Sequence, residues 1–547
     1  MASLTRLAVR IRWRRVLGWA ITALACALVA FALVAPNDRN RFDFWAFVRV
    51  PLEGLVLAAL VLVLPATARR WVAGVAGALL GVLLALKLFD IGFFAVLYRP
   101  FDPVLDWAFV AAGVDYLTAT NGKFLAIAAV IGAVVAVLAM LVGMTLAALR
   151  LSRIVGEHRT WSIRTVAVLT VVWAVCGMFG APLAAHSASE YAYLHAKQIP
   201  AGIADQQAFA REAGIDAFRA TPGGDLLTSL HGKDVVLTFV ESYGRSAIEH
   251  PELAPAIGAL LDDGTRRLKA AGFEARSGFL ASPTFGGGSW LAHATLDSGL
   301  WIDNQQRYRN LVTTDRMTLN KAFQRAGWRT VGVEPAVTQA WPEGKFYGYD
   351  RIYEFGDLGY RGPRFSYALM PDQYILSAFH HSELAAPNRA TPVMAQITTL
   401  SSHAPWEPVP RLLDWHEVGD GSVYNGMAAD NAPPEAIFSR VSSQVRADYG
   451  KAILYALNNL ISYVEHFGDE NLVLVFLGDH QPAPVVTGEN ASHDVPITIV
   501  AHDPEVLRRV SSWGWQSGLK PGPDAPVLRM NEFRDRFLSA FGPAPAH

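Results

Sequence analysis

The sequence predicts a multi-pass α-helical membrane domain followed by an extracytoplasmic α/β domain with a mostly parallel central sheet. Three observations predict it. Apolar runs of membrane-spanning length crowd the first third of the chain and stop near residue 185. Beyond residue 232, short Val/Leu/Ile runs alternate with amphipathic segments, the pattern of strands alternating with helices. One of those runs, Leu472 to Leu477, is apolar without a break, as in a strand buried on both faces of a parallel sheet.

The totals agree with this division. A chain of 547 residues is too long for one ordinary domain. Its hydrophobic fraction of 52% lies above the globular norm, and its charged fraction of 17% below it. A net charge of −1 gives no electrostatic footprint for a nucleic-acid partner. The two cysteines, Cys26 and Cys176, both lie in apolar runs, which leaves the polar half without a disulfide or a Cys-based metal site.

Five stretches reach the length of about 20 helical residues that a bilayer requires. They are 16–35, 47–66, 72–97, 124–149 and 166–185. Cations cluster before the first (Arg6, Arg10, Arg12, Arg14, Arg15), between the second and third (Arg69, Arg70), and between the fourth and fifth (Arg150, Arg153, Arg159, Arg164). The other two loops carry fewer, Arg39 and Arg41 in one and Arg99 and Lys123 in the other. The positive-inside rule then puts the N-terminus in the cytoplasm and everything after the fifth crossing outside. Lys87 and Asp90 share a helical face in or near the third span, as a neutralised pair at the interface or as part of a conduction path.

Residues 1–185 therefore form the membrane domain and 186–231, with Pro200, Pro222, Gly223 and Gly224, a polar spacer. Residues 232–547 form the outer domain. Its expected strands are 235–240, 329–333, 393–400, 472–477 and 495–501, and its expected helices 255–271, 318–326, 439–467 and 531–541. Ligands in open α/β sheets bind beyond the carboxyl ends of the strands. Three of these strands end in chemically useful residues: Glu241-Ser242-Tyr243, Ser401-Ser402-His403, and Gly478-Asp479-His480. Between the first two lies Gly286-Gly287-Gly288-Ser289, a tight loop that places Ser289 at a helix N-terminus, where backbone N–H groups and the helix dipole favour an anion. Each residue alone has an ordinary explanation as a loop carboxylate, a turn or a structural histidine. Together, a hydroxyl, carboxylates and an imidazole around one divalent cation form a coherent phosphoryl-transfer site.

These motifs resemble the sulfatase branch of the alkaline phosphatase superfamily, and within it most closely the lipoteichoic acid synthases and related phosphoglycerol or phosphoethanolamine transferases. The resemblance implies that Glu241, Ser289, Asp479 and His480 hold the metal, with Ser289 as the catalytic nucleophile. It implies that His403, His493 and Trp341 contact substrate. It also implies one divalent cation, Mn²⁺ ahead of Zn²⁺ or Mg²⁺. The expected partners are a membrane phospholipid donor and an envelope polysaccharide or glycolipid acceptor, with no obligate protein partner, in a bacterial inner (plasma) membrane. Two departures stand out. Glu343 falls where lipoteichoic acid synthases have a phosphate-binding arginine. Ser289-Trp290-Leu291-Ala292-His293 also lacks the proline and arginine that formylglycine formation needs, which argues against sulfate-ester hydrolysis by that route. Alternatives to transfer are a hydrolase of the same superfamily or a catalytically inactive glycan or lipid sensor.

Overall fold

The structure, a computed structural model, describes the chain except residues 1, 39–40, 98, 108, 110–112, 115–117, 119–121, 180–182, 186, 339, 387–388, 429–439 and 544–547. Arg39, His186 and Ser439 fall outside the described residues, as do the side chains of Arg6, Arg10, Arg12, Arg14 and Arg15. The chain divides into two compact units, Met1–Asp205 and Gln206–His547.

The first unit contains α1 (Ala2–Val34), α2 (Leu52–Val63), α3 (Ala66–Leu97), α4 (Lys123–Glu157), α5 (Arg159–Met178) and the start of α6 (Ser187–Gly214). Among the described residues, four helical stretches are long and apolar enough to cross a membrane: Val16–Val34, Ala66–Phe94, Lys123–Glu157 and Arg159–Met178. The span expected at 47–66 is shorter than the sequence implies. Helix α2 has 12 residues, about 18 Å at 1.5 Å per residue, against a hydrocarbon core of about 30 Å. Prolines bound it. Val50–Pro51 is extended and pairs with Ala184–Ala185, and Pro65 disfavours helical backbone at Leu64, whose ψ is 147°.

Contacts within this unit fix the relative directions of the helices. Gly54 at the start of α2 abuts Leu33 at the end of α1, and Lys87 of α3 donates to the carbonyls of Ala32 and Ala35. Arg150 near the end of α4 reaches back to the Gly18 carbonyl of α1. The five helices therefore run alternately up and down. Helices α3 and α4 meet closely because Gly77 and Gly81, four residues apart, leave room: a Cβ on Gly77 would lie 2.7 Å from the Thr145 backbone. Asp90 accepts from Asn37, Tyr191 and the Phe101 N–H, at 2.7 to 2.9 Å. Lys87 and Asp90 thus each tie the C-terminal end of α1 to its neighbours.

The second unit is built on a nine-stranded sheet. In chain order the strands are β1 (Asp234–Val240), β2 (Glu274–Ala281), β3 (Arg329–Glu334), β4 (Arg351–Glu354), β5 (Val393–Thr399), β6 (Leu472–Gly478), β7 (Asp494–Ala501), β8 (Gln516–Ser517) and β9 (Val527–Arg529). They lie in the order β8-β2-β7-β6-β1-β5-β3-β4, with β9 also on β2. The run β6-β1-β5-β3-β4 is parallel, and β7 is antiparallel to both β6 and β2. Every residue of β1, β5 and β6 is buried; β6 reads as an unbroken apolar run, whereas β1 carries Asp234 and Thr238 and β5 carries Gln396, Thr398 and Thr399. Helices include α7 (Ala254–Ala270), α8 (Ser289–Ser298), α9 (Leu319–Arg325), α10 (Asp372–Phe379), α11 (Ser442–Phe467) and α12 (Phe533–Phe541). The register of the central pair sets up the site: Val240 of β1 lies opposite Gly478 of β6, so both strands end level, with Glu241 and Asp479 next in line.

Candidate metal centre

Glu241 follows the buried strand β1 and is 4% exposed. The next residue, Ser242, adopts left-handed backbone at φ 56°, unusual for a non-glycine residue. That turn is held on three sides. The Ser242 N–H donates to Asp479 Oδ1 at 2.8 Å, the Ser242 hydroxyl donates to Glu241 Oε1 at 2.8 Å, and Tyr449 donates to the Ser242 carbonyl at 2.9 Å. Gly478 is required by close approach rather than by its own torsion, because a Cβ there would lie 1.9 Å from the Tyr243 carbonyl oxygen. Asp479 and His480 follow, 0% and 1% exposed.

Ser289 opens α8 after Gly286, Gly287 and Gly288, whose φ values of 72°, 159° and 84° are open only to glycine at low cost. This loop is pinned to the Gly-Asp-His segment, since Gly286 N–H donates to the Gln481 carbonyl at 2.9 Å and the Ser282 hydroxyl to the Asp479 carbonyl at 2.6 Å. The Ser289 hydroxyl donates to Glu241 Oε2 at 3.0 Å and lies 3.2 Å from His480 Nε2. His480 Nε2 is in turn 3.5 Å from Glu241 Oε1 and 3.6 Å from Asp479 Oδ2. Four side chains from three separated segments thus face one point.

The donor set fits a divalent cation. His480 Nδ1 sits 2.8 Å from the Gln481 carbonyl. In the neutral ring Nδ1 must donate there, which leaves the Nε2 lone pair aimed at the cluster. Asp479 Oδ2 is buried without a hydrogen-bond partner, a costly arrangement that a bound cation would relieve. One ligand atom from each of Glu241, Asp479 and His480 falls within 4.8 Å of the others, and all three residues are buried. The grouping Asp414, His416 and Glu417 shares that spacing but is fully exposed on a single turn, where water already satisfies it.

Burial, then the charge of Glu241, pushes the Asp479 carboxyl up to about 6. Burial works to lower the His480 imidazole, but the carboxylates of Asp479 and Glu241 outweigh it, and the net shift is upward. Protons therefore compete with a cation for these ligands. Divalent-cation affinity is expected to hold above pH 7 and to fall by roughly tenfold per unit as pH drops below about 6. Calorimetric titration of the purified protein with Mn²⁺ between pH 5 and pH 8 measures this, and a flat profile would remove Asp479 from the ligand set.

The remaining expected residues lie at graded distances. His403 stacks on Tyr367 with ring centroids 3.7 Å apart, and its Nδ1 sits 2.7 Å from the Ala404 carbonyl. Burial lowers its pKa to about 4, with His480 and Asp479 also acting on it, so the ring is neutral at pH 7. His493 is exposed; its ring lies 5.3 Å from Phe285 of the glycine loop, and its carbonyl accepts from the Ser282 N–H. Trp341 packs on Tyr347 in a separate apolar cluster that contains none of the metal ligands.

Sequence reasoning missed His293, four residues after Ser289 and on the same face of α8. It is 8% exposed, stacks on Phe239 at 3.9 Å and has no partner for Nε2. Its pKa falls to about 4 through burial, with Asp479 and His480 as the charges acting on it. The i, i+4 spacing from Ser289 was the available signal. Asp372 was also missed: its Oδ1 accepts from the N–H groups of Leu400 and Ser401 and so braces the end of β5.

A sulfatase family model matches residues 233–496. The match begins at the first strand of the sheet and ends in β7. No curated protein sequence matches the chain. Among solved structures, the lipoteichoic acid synthase LtaP of Listeria monocytogenes is similar at 13% identity, covering 59% of this chain and 74% of that one, with a TM-score of 0.39. The Streptococcus pyogenes phosphoglycerol transferase GacH in complex with sn-glycerol-1-phosphate is similar at 14% identity, covering 62% and 91%, with a TM-score of 0.35. The periplasmic domain of EptC from Escherichia coli, in complex with Zn, is similar at 15% identity, covering 50% and 73%, with a TM-score of 0.33. The stretch matched by the sulfatase family model contains the whole glycine loop, both carboxylates and His480.

Proposed function

We propose that the protein is a membrane-anchored, metal-dependent transferase that moves a phospho-alcohol head group from a lipid donor to an envelope acceptor through a phospho-serine intermediate. The observation that carries this reading is the Ser289 hydroxyl at 3.0 Å from Glu241 and 3.2 Å from His480, at a helix start, inside the stretch matched by the sulfatase family model. A divalent cation, Mn²⁺ by preference, held by Glu241, Ser289, Asp479 and His480, would lower the hydroxyl pKa and offset phosphate charge.

In the first half-reaction Ser289 Oγ forms a bond to phosphorus as the bond from phosphorus to the lipid oxygen breaks. The hydroxyl proton leaves toward Glu241, its resting acceptor, and the departing lipid oxygen takes up a proton. In the second half-reaction the acceptor hydroxyl attacks phosphorus and Ser289 Oγ leaves, regaining a proton. His403, neutral and with Nδ1–H committed to the Ala404 carbonyl, presents Nε2 as an acceptor for the proton of the attacking hydroxyl. His493 and Trp341 would line the path of larger substrates.

The proposed organisation is a membrane domain over 1–185, a spacer over 186–231 and a catalytic domain over 232–547, with the N-terminus cytoplasmic and the catalytic domain extracytoplasmic. The alternating helix directions support it, since the C-terminal end of α1 and the start of α6 share one end of the bundle: Ser187 donates to the Leu33 carbonyl. The test uses purified full-length protein with head-group-labelled phosphatidylglycerol or phosphatidylethanolamine, with and without a glycan acceptor. Label appearing on the glycan supports transfer. Label released only as the free head group assigns hydrolysis instead, and no release from either lipid would remove the reading.

A further inference from the structure

The first unit carries a cavity of about 440 Å³ at the C-terminal end of α1. Among the described residues, three cations line it, Arg41, Arg49 and Lys87, against one lining carboxylate, Asp43. The cations are incompletely engaged. Arg49 Nε is buried with no hydrogen-bond partner, and Arg41 reaches Asp38 only at 3.9 Å. Lys87 uses two of its three donors on the Ala32 and Ala35 carbonyls. Asp43 is already occupied by the Ala46 N–H at 2.6 Å. Asp90, behind this wall, is held by Asn37, Tyr191 and the Phe101 N–H. An anion is what the cavity lacks.

Directly along α1 lies a second space of about 420 Å³ with the opposite chemistry. Cys26, Val29, Leu57, Ala76 and Leu83 line this cleft between α1, α2, α3 and α4, with Glu53 its one carboxylate among the described residues. The two spaces adjoin along one helix wall, Leu33 lining the apolar cleft and Val34 the cationic cavity. A free phosphate would satisfy only the first and a hydrocarbon only the second. A polar anionic head joined to an acyl chain satisfies both.

We propose that the membrane unit binds one phospholipid molecule, its phosphate between Arg49, Arg41 and Lys87 and an acyl chain in the cleft lined by Leu57, Ala58 and Ala76. Burial of each methylene adds to affinity, and the charged hydrogen bonds select the head group. This binding does not depend on transfer chemistry at Ser289.

The test is binding of fluorescent phosphatidylglycerol to the delipidated full-length protein in detergent, with unlabelled phosphatidylglycerol, diacylglycerol and glycerol phosphate as competitors. Phosphatidylglycerol is expected to compete at least tenfold better than either fragment, because only it fills both spaces. Arg49→Gln should weaken binding by about tenfold, the loss of one charge-assisted hydrogen bond, and Arg49→Lys should restore most of it. Arg49→Gln protein should keep its metal content while losing lipid affinity, which separates this site from the catalytic reading. Unchanged affinity in Arg49→Gln, or diacylglycerol competing as well as phosphatidylglycerol, would overturn the proposal.

Discussion

Ser289→Ala is expected to lower head-group release from phosphatidylglycerol by at least about a thousandfold, the scale on which nucleophile removal acts in serine enzymes. The reason is local. The hydroxyl opens α8 beside the proposed cation site, and it sits 3.0 Å from the carboxylate that receives its proton. The side chain contributes little to the fold, since Gly288 and the Gly286-to-Gln481 backbone bond hold the loop without it. Thermal unfolding should therefore stay close to wild type, while cation affinity falls with the loss of one of the four proposed ligands. Activity retained within tenfold, in protein of normal melting temperature, would show that attack on phosphorus comes from elsewhere. Trapping the phospho-enzyme with labelled lipid is the companion measurement, and the label should be absent from the alanine variant.

Asp479→Ala is expected to weaken divalent-cation binding by at least about a hundredfold, beyond the tenfold to hundredfold cost of losing an outer-shell partner. Two effects combine. The unpartnered Oδ2 is lost as a ligand, and Oδ1 no longer receives the N–H groups of Ser242 and His480, at 2.8 and 2.7 Å. The second loss frees the left-handed turn that presents Glu241. Elemental analysis should find the wild type near one equivalent of metal and the variant near none after dialysis. The same preparation should lose turnover. A variant that kept full metal content would place the cation at another site. Asp479→Asn separates the two effects, because the amide keeps an oxygen facing the Ser242 N–H while giving up the charge.

Much of this was legible in the chain. The buried strand β6 is a uniform apolar run and β1 and β5 are apolar-rich, and the residues that follow them, Glu241, the Ser401-Ser402-His403 segment and Asp479-His480, lie just past the sheet edge. Strands β2 and β4 were not visible. β2, Glu274–Ala281, carries Arg276, Ser277 and Gly278, and its burial comes from pairing with β7, β8 and β9 rather than from an apolar run. The antiparallel sense of β7 was also hidden, because periodicity reports burial and not direction. In the membrane unit, hydropathy alone counted the stretch from Phe47 to Ala66 as a span. Pro51 and Pro65, which shorten it, act on backbone torsion and leave mean hydropathy unchanged. His293 escaped notice because a histidine on a helix has many ordinary explanations until its neighbour on the preceding turn is known to be the reactive hydroxyl.

The level ending of β1 and β6, with Val240 opposite Gly478, carries a consequence for assembly. Sliding either strand by one position would turn its terminal carboxylate to the far side of the pleat. Ion capture therefore requires the central ladder to close in the correct alignment, and a nascent or misaligned polypeptide has no partial version of the pocket to offer. Uptake of the cation during refolding should consequently trail backbone ordering, and can serve as a timestamp for the moment the two strands lock.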